Sequence, residues 1–306
     1  MDTRTSSSDE RPFGAPAAAI GLPARSRLLM LAGIACYPAI LAASLPPAPK
    51  HATPHSDAFL IYYGSAPQAA VADYRIAVLD SEAAILGKRN RLSMRLSYLS
   101  LGQVHRGRSY QSTLDREGLL FEADPDWPDA RFIDLRSARW RDLVVDQLLP
   151  AMLAKGFRGV FLDTLDSAEA LEQRDPQRFA GMVEAAAGLV IALRRRFPRT
   201  PIMINRGFAV LPRIVGRFDM LLGESVSSTF DQQSKRYHLV APEAREWQVS
   251  RMLDAKRRDP SLRLFALDYW DPDDPDGISR LYALERMSGF TPYVATPDLS
   301  RIVMEQ

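Results

Sequence analysis

Two acidic residues stand at points where buried strands are expected to end. Asp163 closes the apolar run GVFLD, and Glu224 closes DMLLGE. Removing a carboxylate from water costs free energy, so an acid at the tip of a core strand indicates a role. Carboxyl groups about 5–5.5 Å apart cleave glycosidic bonds with retention of configuration, and more widely spaced groups do so with inversion. One group must be ionised and the other protonated, which burial and mutual repulsion both favour. We therefore predict a catalytic pair for glycoside hydrolysis.

Other predicted strand tips carry polar or aromatic side chains suited to a sugar. Aromatic rings can stack on sugar faces, and amide, carboxylate and guanidinium groups can bind hydroxyl, amino or acetamido groups. Several rings could instead complete the upper core, and Asp166 could cap a helix over AEALEQ. The predicted substrate-binding residues are Tyr62, Tyr63, Asp80, Gln103, Asp166, Asn205, Arg206, Asp268, Tyr269 and Trp270.

The elements that must position these residues alternate between short apolar strands and helices. Strands are predicted at 59–64, 76–80, 96–102, 159–163, 201–205, 220–224, 264–270 and 292–296. Helices are predicted at 138–156, 176–197, 241–258 and 277–289, the first kinked or split at Pro150. Eight strands separated mostly by helices predict an α/β fold, a single-domain (β/α)₈ TIM barrel, with an open doubly wound sheet as the alternative.

The order of the strands brings the two acids together. Asp163 and Glu224 end the fourth and sixth strands, which have one strand between them. Their backbones should then be about 10 Å apart at the rim, because neighbouring strands are about 4.8 Å apart. A further run, RFIDLR at 131–136, is predicted to be an accessory strand leading into the helix of Trp140.

The N-terminal region has the pattern of an export signal. A polar leader ends in ARSR, and residues 28–45 are then uncharged. We expect residues 1–45 to be a leader with a signal peptide or membrane anchor, and residues 46–56 to be a Pro-rich linker. Residues 57–306 are then the barrel domain. Export to the periplasm or cell exterior is expected, with 28–45 either cleaved or retained in the membrane. The alternative is a buried helix, which the nearby prolines disfavour.

Composition argues against several other classes of function. Formal net charge is +2, from 39 basic and 37 acidic residues, which gives no indication of a nucleic-acid surface. One cysteine, Cys36, and four histidines argue against a zinc site, and no nucleotide-binding motif is present. We therefore expect no metal, no cofactor and a monomer whose partner is a polysaccharide.

The runs KGFRGVFLDTLDS, LLGESV, FLIYYG and LFALDYW resemble the glycoside hydrolases of family 114, the spherulin-4-like endo-α-1,4-polygalactosaminidases, and the related Pel polysaccharide hydrolase domain. The similarity extends over most of 59–300. It implies a TIM barrel that cleaves α-1,4-linked galactosamine or N-acetylgalactosamine polymers internally, with retention. It also implies that Asp163 is the nucleophile, Glu224 the acid/base and Asp166 a substrate contact. Thr164 departs from the family, which usually has Asn there, and the run before Glu224 lacks an Asn that the family often carries.

Two alternative functions fit the same residues. The barrel could bind a polysaccharide without cleaving it. It could also be a hydrolase that holds a hard cation between Asp163, Asp166 and Glu224.

Overall fold

The computed structural model describes residues 58–64, 71, 73–82 and 93–305. The predicted leader at 1–45 and linker at 46–56 lie outside these residues, so both stay predictions. Within the described part of the chain, no helix is both long enough and apolar enough to cross a membrane.

Eight parallel strands form a nearly closed barrel in the order β1-β2-β3-β7-β8-β9-β12-β13. At the seam between β1 and β13, the rings of Phe59 and Tyr293 lie 6.3 Å apart. The strands are β1 Phe59–Tyr62, β2 Ile76–Leu79, β3 Met94–Ser100, β7 Gly159–Asp163, β8 Ile202–Asn205, β9 Met220–Glu224, β12 Arg263–Tyr269 and β13 Thr291–Ala295. The barrel prediction is confirmed, and the open doubly wound sheet is wrong.

The remaining strands form two small sheets outside the barrel. One has the order β4-β6-β5, and the other is the β10–β11 hairpin. Their bounds are β4 Gln103–His105, β5 Leu120–Ala123, β6 Ala130–Ile133, β10 Ser228–Asp231 and β11 Arg236–Leu239. The predicted accessory run at 131–136 corresponds to β6. Both small sheets follow barrel strands directly, β3 and β9, so both rise from the end of the barrel where those strands finish.

The helices are α1 Gln111–Arg116, α2 Ala138–Leu143, α3 Leu149–Ala154, α4 Asp166–Arg174, α5 Met182–Arg196, α6 Leu211–Ile214, α7 Pro242–Arg258 and α8 Pro275–Met287. A π-helical turn at Val144–Leu148 separates α2 from α3 just before Pro150, as expected where proline removes an N–H donor. Helix α5 begins later than predicted because Gly181 adopts a left-handed φ of 86°. Helix α8 begins earlier, because the Asp274 side chain accepts a hydrogen bond from the Gly277 N–H.

Alternate residues of each barrel strand face opposite sides of the wall. In β7, Phe161 belongs to the barrel interior with Met203, Leu222 and Phe265. Its neighbours Val160 and Leu162 pack instead with the helix layer outside. This alternation decides which residues at the strand tips can reach the mouth of the barrel, because only those in phase with the interior residues point inward.

Candidate active site

Asn205 holds the carboxyl groups of Asp163 and Glu224 together. Its Nδ2 donates hydrogen bonds to Asp163 Oδ1 at 2.9 Å and to Glu224 Oε2 at 2.6 Å. The three residues end the adjacent strands β7, β8 and β9. Since both oxygens lie within hydrogen-bond length of one nitrogen, they are at most about 5.5 Å apart, within the spacing typical of a retaining pair.

Each acid also accepts a hydrogen bond from a tyrosine on the barrel wall. Tyr98 Oη donates to Asp163 Oδ2 at 2.9 Å, and Tyr269 Oη donates to Glu224 Oε1 at 2.6 Å. Burial and the neighbouring carboxylates raise the pKa of both phenols well above 10, so both stay protonated and act as donors. The pair is therefore symmetric in its contacts, with one phenol and one amide hydrogen on each acid.

The acids share a site that resists full ionisation. Burial, followed by the negative charge of Glu224, raises the pKa of Asp163 to about 6, although the hydrogen bond from Asn205 opposes the shift. Asp166 adds a smaller effect in the same direction. Below about pH 6 the pair therefore keeps a proton between its two carboxyl groups, which acid-assisted displacement requires, and it gives up this proton as the pH rises through about 6.

The backbone turns sharply after each of the three central tips. Thr164, Arg206 and Ser225 directly follow Asp163, Asn205 and Glu224, and their φ angles are 62°, 48° and 52°. Non-glycine residues rarely adopt left-handed φ, and such strain is concentrated at functional sites. The turns lead the chain away from the barrel mouth directly after each tip side chain.

Hydrogen bonds and close packing hold these turns. Thr164 Oγ1 accepts a hydrogen bond from the Gly102 N–H at 2.9 Å and shares another with Ser100 Oγ at 2.8 Å. After Arg206, Gly207 is also left-handed, with φ 64°, and a side chain there would come within 2.8 Å of Leu165. The loops after β3, β7 and β8 are therefore interlocked.

An ion pair between Asp80 and Arg108 lies beside Tyr98, at the tip of β2 next to β3. The Arg108 guanidinium donates to both Asp80 oxygens, at 3.0 and 2.6 Å, and lies 5.7 Å from the centre of the Tyr98 ring. Burial alone would raise the pKa of Asp80, but the hydrogen bonds from Arg108 and the Glu82 N–H outweigh it and lower the pKa. Tyr63 packs edge-on against Tyr98, with ring centres 5.2 Å apart. Asp80 is thus already paired, and its oxygens are only partly available to a sugar.

Asp166 and Arg206 lie at the edge of the pocket. Asp166 is the first residue of α4, and its Oδ2 is 3.9 Å from an Arg206 terminal nitrogen. The Asp166 side chain is 45% exposed, and it makes no capping hydrogen bond of the kind considered from the sequence. Both residues therefore stay available to a bound chain.

The structure directs three predicted substrate contacts away from the two acids. Asp268 is only 1% exposed, and its Oδ1 accepts hydrogen bonds from the Ser227 and Ser228 N–H groups on the outer side of β12. Tyr62 is out of phase with the inward-facing Tyr63, and its hydroxyl lies against Gly64. Gln103 is buried and donates to Asp124 and Ser167. Strand alternation or an existing partner directs these three side chains away from Asp163 and Glu224, and their contact with substrate stays a prediction.

Trp270 takes an intermediate position beyond the tip of β12. Its Nε1 donates to Asp274 Oδ2 at 2.9 Å, and its ring centre is 6.4 Å from that of Tyr237 on the β10–β11 hairpin. The indole is anchored to the start of α8 and partly buried. It lies at the edge of the barrel mouth, and no hydrogen bond among the described residues joins it to either acid.

Tyr98 and Arg108 are site residues that the sequence did not single out. Tyr98 lies two residues before the end of β3, in phase with the inward-facing tip Ser100. Alternation along β3 was the signal that could have identified it. Arg108 comes from the segment between β4 and α1, where no periodic pattern indicates its direction. In the described ranges, no three His, Cys, Asp or Glu side chains are grouped as a metal site requires.

Comparison with known proteins agrees with this geometry. The family model described as Glycoside-hydrolase family GH114 matches residues 42–306. The glycoside hydrolase domain of PelA from Pseudomonas aeruginosa superposes with a TM-score of 0.71 and 25% identity, covering 81% of this chain and 98% of that chain.

Two further proteins are similar to this chain. Ega3 of Aspergillus fumigatus, solved in complex with galactosamine, has a TM-score of 0.59 and 16% identity over 86% of this chain and 98% of that chain. An uncharacterised protein of Deinococcus radiodurans is 25% identical over 214 residues, which is 69% of this chain and 67% of that protein. The family model covers well over half of the chain, and this protein therefore belongs to glycoside-hydrolase family GH114 and is a glycoside hydrolase.

Proposed function

We propose that this protein is an exported, endo-acting hydrolase of α-1,4-linked galactosamine or N-acetylgalactosamine polysaccharides, with Asp163 as nucleophile and Glu224 as acid/base. The observation that carries the proposal is the Asn205 side chain, which holds the two carboxyl groups at the spacing of a retaining pair. The choice of sugar follows the family resemblance. The acidic residues Asp163, Asp166 and Glu224 around the mouth would also favour a cationic amino sugar.

The reaction would proceed in two displacements. Asp163 attacks the anomeric carbon as the bond to the glycosidic oxygen breaks, and Glu224 gives its proton to that departing oxygen. A water molecule, deprotonated by Glu224, then attacks the same carbon and releases Asp163, so the product keeps the α configuration. Tyr98 and Asn205 would hold Asp163 in position for attack, while Tyr269 and Asn205 hold Glu224.

The direct test is to incubate the purified protein with galactosaminogalactan, Pel-type and other amino-sugar polymers and to analyse the products by mass spectrometry. Internal cleavage should release a range of oligosaccharides early in the reaction. The Glu224→Gln variant should bind oligosaccharide but release almost nothing. Saturable binding without products across the panel would instead support a non-catalytic barrel, and full activity of Glu224→Gln would contradict its role.

The roles within the pair can be separated by chemical rescue. Azide added to a Glu224→Ala variant should attack the glycosyl intermediate on Asp163 and give an α-glycosyl azide. Azide added to an Asp163→Ala variant should displace the leaving group directly and give the β-glycosyl azide. The opposite pattern of anomers would mean that the two carboxyl groups exchange roles.

Export would depend on the predicted signal or anchor at 28–45. Cell fractionation of the full chain and of a chain lacking this segment tests it. Only the full chain should reach the periplasm or medium, or remain on the membrane facing outward.

A further inference from the structure

A row of aromatic and charged side chains extends from the active site along the loop after β8 to helix α7. Trp247 lies in α7, next to Gln248, whose side chain contacts the Glu224 and Ser225 carbonyls. Trp247 is therefore level with the tip of β9, at the end of the barrel where the acids lie. It is 40% exposed, although it is a large apolar residue.

Two neighbours fix the exposed indole in place. The Phe208 ring meets it edge-on, with centres 5.2 Å apart, and the Arg251 guanidinium lies 5.5 Å from its centre. Phe208 comes from the loop that follows the Asn205 tip, so the same loop connects the active site with the tryptophan. A ring held rigid before binding loses little conformational entropy when a ligand packs on it.

A buried donor lies in the loop that joins the Asn205 tip to Phe208. Arg206 Nε is buried, and it has no hydrogen-bond partner among the described residues. Buried N–H groups are nearly always paired, so an unpaired one beside an open site points to a ligand oxygen. The left-handed backbone of Arg206 holds its side chain at this position, beside Asp166.

Charges continue along the same rim. Burial and the negative charge of Asp166 raise the pKa of Glu169, while the positive charges of Arg206 and Arg251 act against the shift. Asp166, Arg206 and Arg251 therefore lie near Glu169, and Arg251 also packs on Trp247. Together they offer alternating acceptors and donors to the hydroxyl and amino groups of a sugar chain.

We infer that Trp247 and Phe208 form a distal sugar-binding subsite, and that Arg206 Nε donates to a hydroxyl of the chain between this subsite and the acids. The occupant is a sugar residue of the same polysaccharide, several units from the scissile bond. This inference rests on the proposed function. It adds that the enzyme gains affinity from chain length, because only chains long enough to reach the indole can stack on it.

The test measures how affinity depends on oligosaccharide length. In the Glu224→Gln background, affinity for amino-sugar oligomers of increasing length is measured by calorimetry, with and without Trp247→Ala. The Trp247→Ala change should abolish the gain seen on going from short to long oligomers, a loss of about tenfold for the longest. Trp247→Tyr, which keeps an aromatic face, should restore most of that gain.

Met287→Ala is the control, because Met287 is an exposed apolar residue at the far end of α8, where the chain runs toward the opposite end of the barrel. It should leave the length dependence unchanged. Thermal unfolding confirms that each variant is folded. If the wild type cleaves a polymer but Trp247→Ala keeps the full length dependence, the distal subsite is wrong while the proposed function stands. If the wild type neither binds nor cleaves any polymer, both are wrong.

Discussion

Two pairs of acids lie on opposite sides of the barrel wall, one at the tips of β7 and β9 and the other beside β12. Asp163 and Glu224 point inward, where their partners are neutral donors from Asn205, Tyr98 and Tyr269. Asp268 and Glu285 lie on the outer side, and Ser227 joins them through its N–H and its hydroxyl. The outer pair is buried, whereas the inner pair is half-buried at the barrel mouth. Within each pair the two negative charges repel each other.

The two pairs differ in what compensates the charge. Burial and the negative charge of Glu285 raise the pKa of Asp268 to about 7. This shift has the same direction as that of Asp163, whose pKa is raised to about 6. The outer pair, however, has a cation beside it. Arg245 donates a hydrogen bond to Ser227 Oγ at 2.7 Å and forms an ion pair with Glu285 at 3.5 Å. A raised pKa therefore does not by itself identify a catalytic acid. The neutral, inward-facing donors at a mouth that a substrate can enter distinguish the first pair.

The same substitution on either side of the wall should separate catalysis from structure. Asp163→Asn should lower kcat/KM at least about 10³-fold with little change in folding, because it removes the nucleophile but keeps the shape. Asp268→Asn keeps an oxygen for the Ser227 and Ser228 N–H groups, so activity should stay within a few-fold of wild type. Steady-state kinetics on the cleaved polymer measure both. Comparable losses of kcat/KM in the two variants would contradict the assignment of a catalytic role to the inner pair and a structural role to the outer pair.

Removing the outer cation should affect stability most. Arg245→Met leaves Glu285, whose side chain is 0% exposed, without its counter-ion. Breaking a buried ion pair in this way costs about 3–5 kcal/mol in the free energy of unfolding. Urea titration measures the loss.

The matched control is Arg257→Met, in which the guanidinium is 69% exposed and pairs with Asp254. This change should cost less than about 1 kcal/mol. Equal midpoints for the two variants would show that the outer pair is uncharged and does not need Arg245.

The outer pair should also give stability a dependence on pH. The unfolded state loses the Asp268 proton near its ordinary pKa, whereas the folded state keeps it up to about 7. Between these values the folded state binds more protons, so stability falls as pH rises, by about 1.4 kcal/mol per pH unit from this group. Asp268→Asn removes this dependence. The stability of the variant relative to wild type should therefore be greater at pH 8 than at pH 5. Urea midpoints that run parallel for wild type and variant across this range would contradict it.

On the inner side, Tyr98 should act by positioning the nucleophile. Tyr98→Phe removes one hydrogen bond from Asp163, and kcat/KM should fall by about tenfold, since hydrogen bonds to charged groups contribute about 1.5–3 kcal/mol. Tyr62→Phe is the control, because Tyr62 faces the outer side of β1. An equal fall in both variants would mean that phenol removal acts through packing alone.

The contrast between the two sides also shows what the sequence could predict. The runs GVFLD and DMLLGE gave the bounds of β7 and β9 and placed Asp163 and Glu224 one strand apart, because apolar runs and their polar ends are local signals. Asp268 and Tyr62 were predicted in the pocket from their position at strand ends alone. Alternation with Tyr269 and Tyr63 would have placed both on the outer side.

Other parts depend on contacts distant in the sequence. Arg108 reaches Asp80 across 28 residues from a segment with no periodicity. The β10–β11 hairpin is short and polar, so neither apolar alternation nor length indicates it. Such features follow from pairing between segments, which a pattern in one segment does not record.

The smallest effect should come from Asp166, which lies at the edge of the inner pair. Its negative charge helps to raise the pKa of Asp163, so Asp166→Asn should lower that pKa by about a few tenths of a unit.

Wild-type kcat/KM should decline as pH rises through about 6, where the pair loses its last proton and with it the catalytic acid. In the variant this decline should move to lower pH. Glu184→Gln, a change to a 75% exposed side chain on α5, should leave it in place. The quantity to measure is the pH at which kcat/KM declines. The maximum value of kcat/KM is less informative, because Asp166 also lies where it can contact substrate. A shift to higher pH would mean that Asp166 does not act on the pair through its charge.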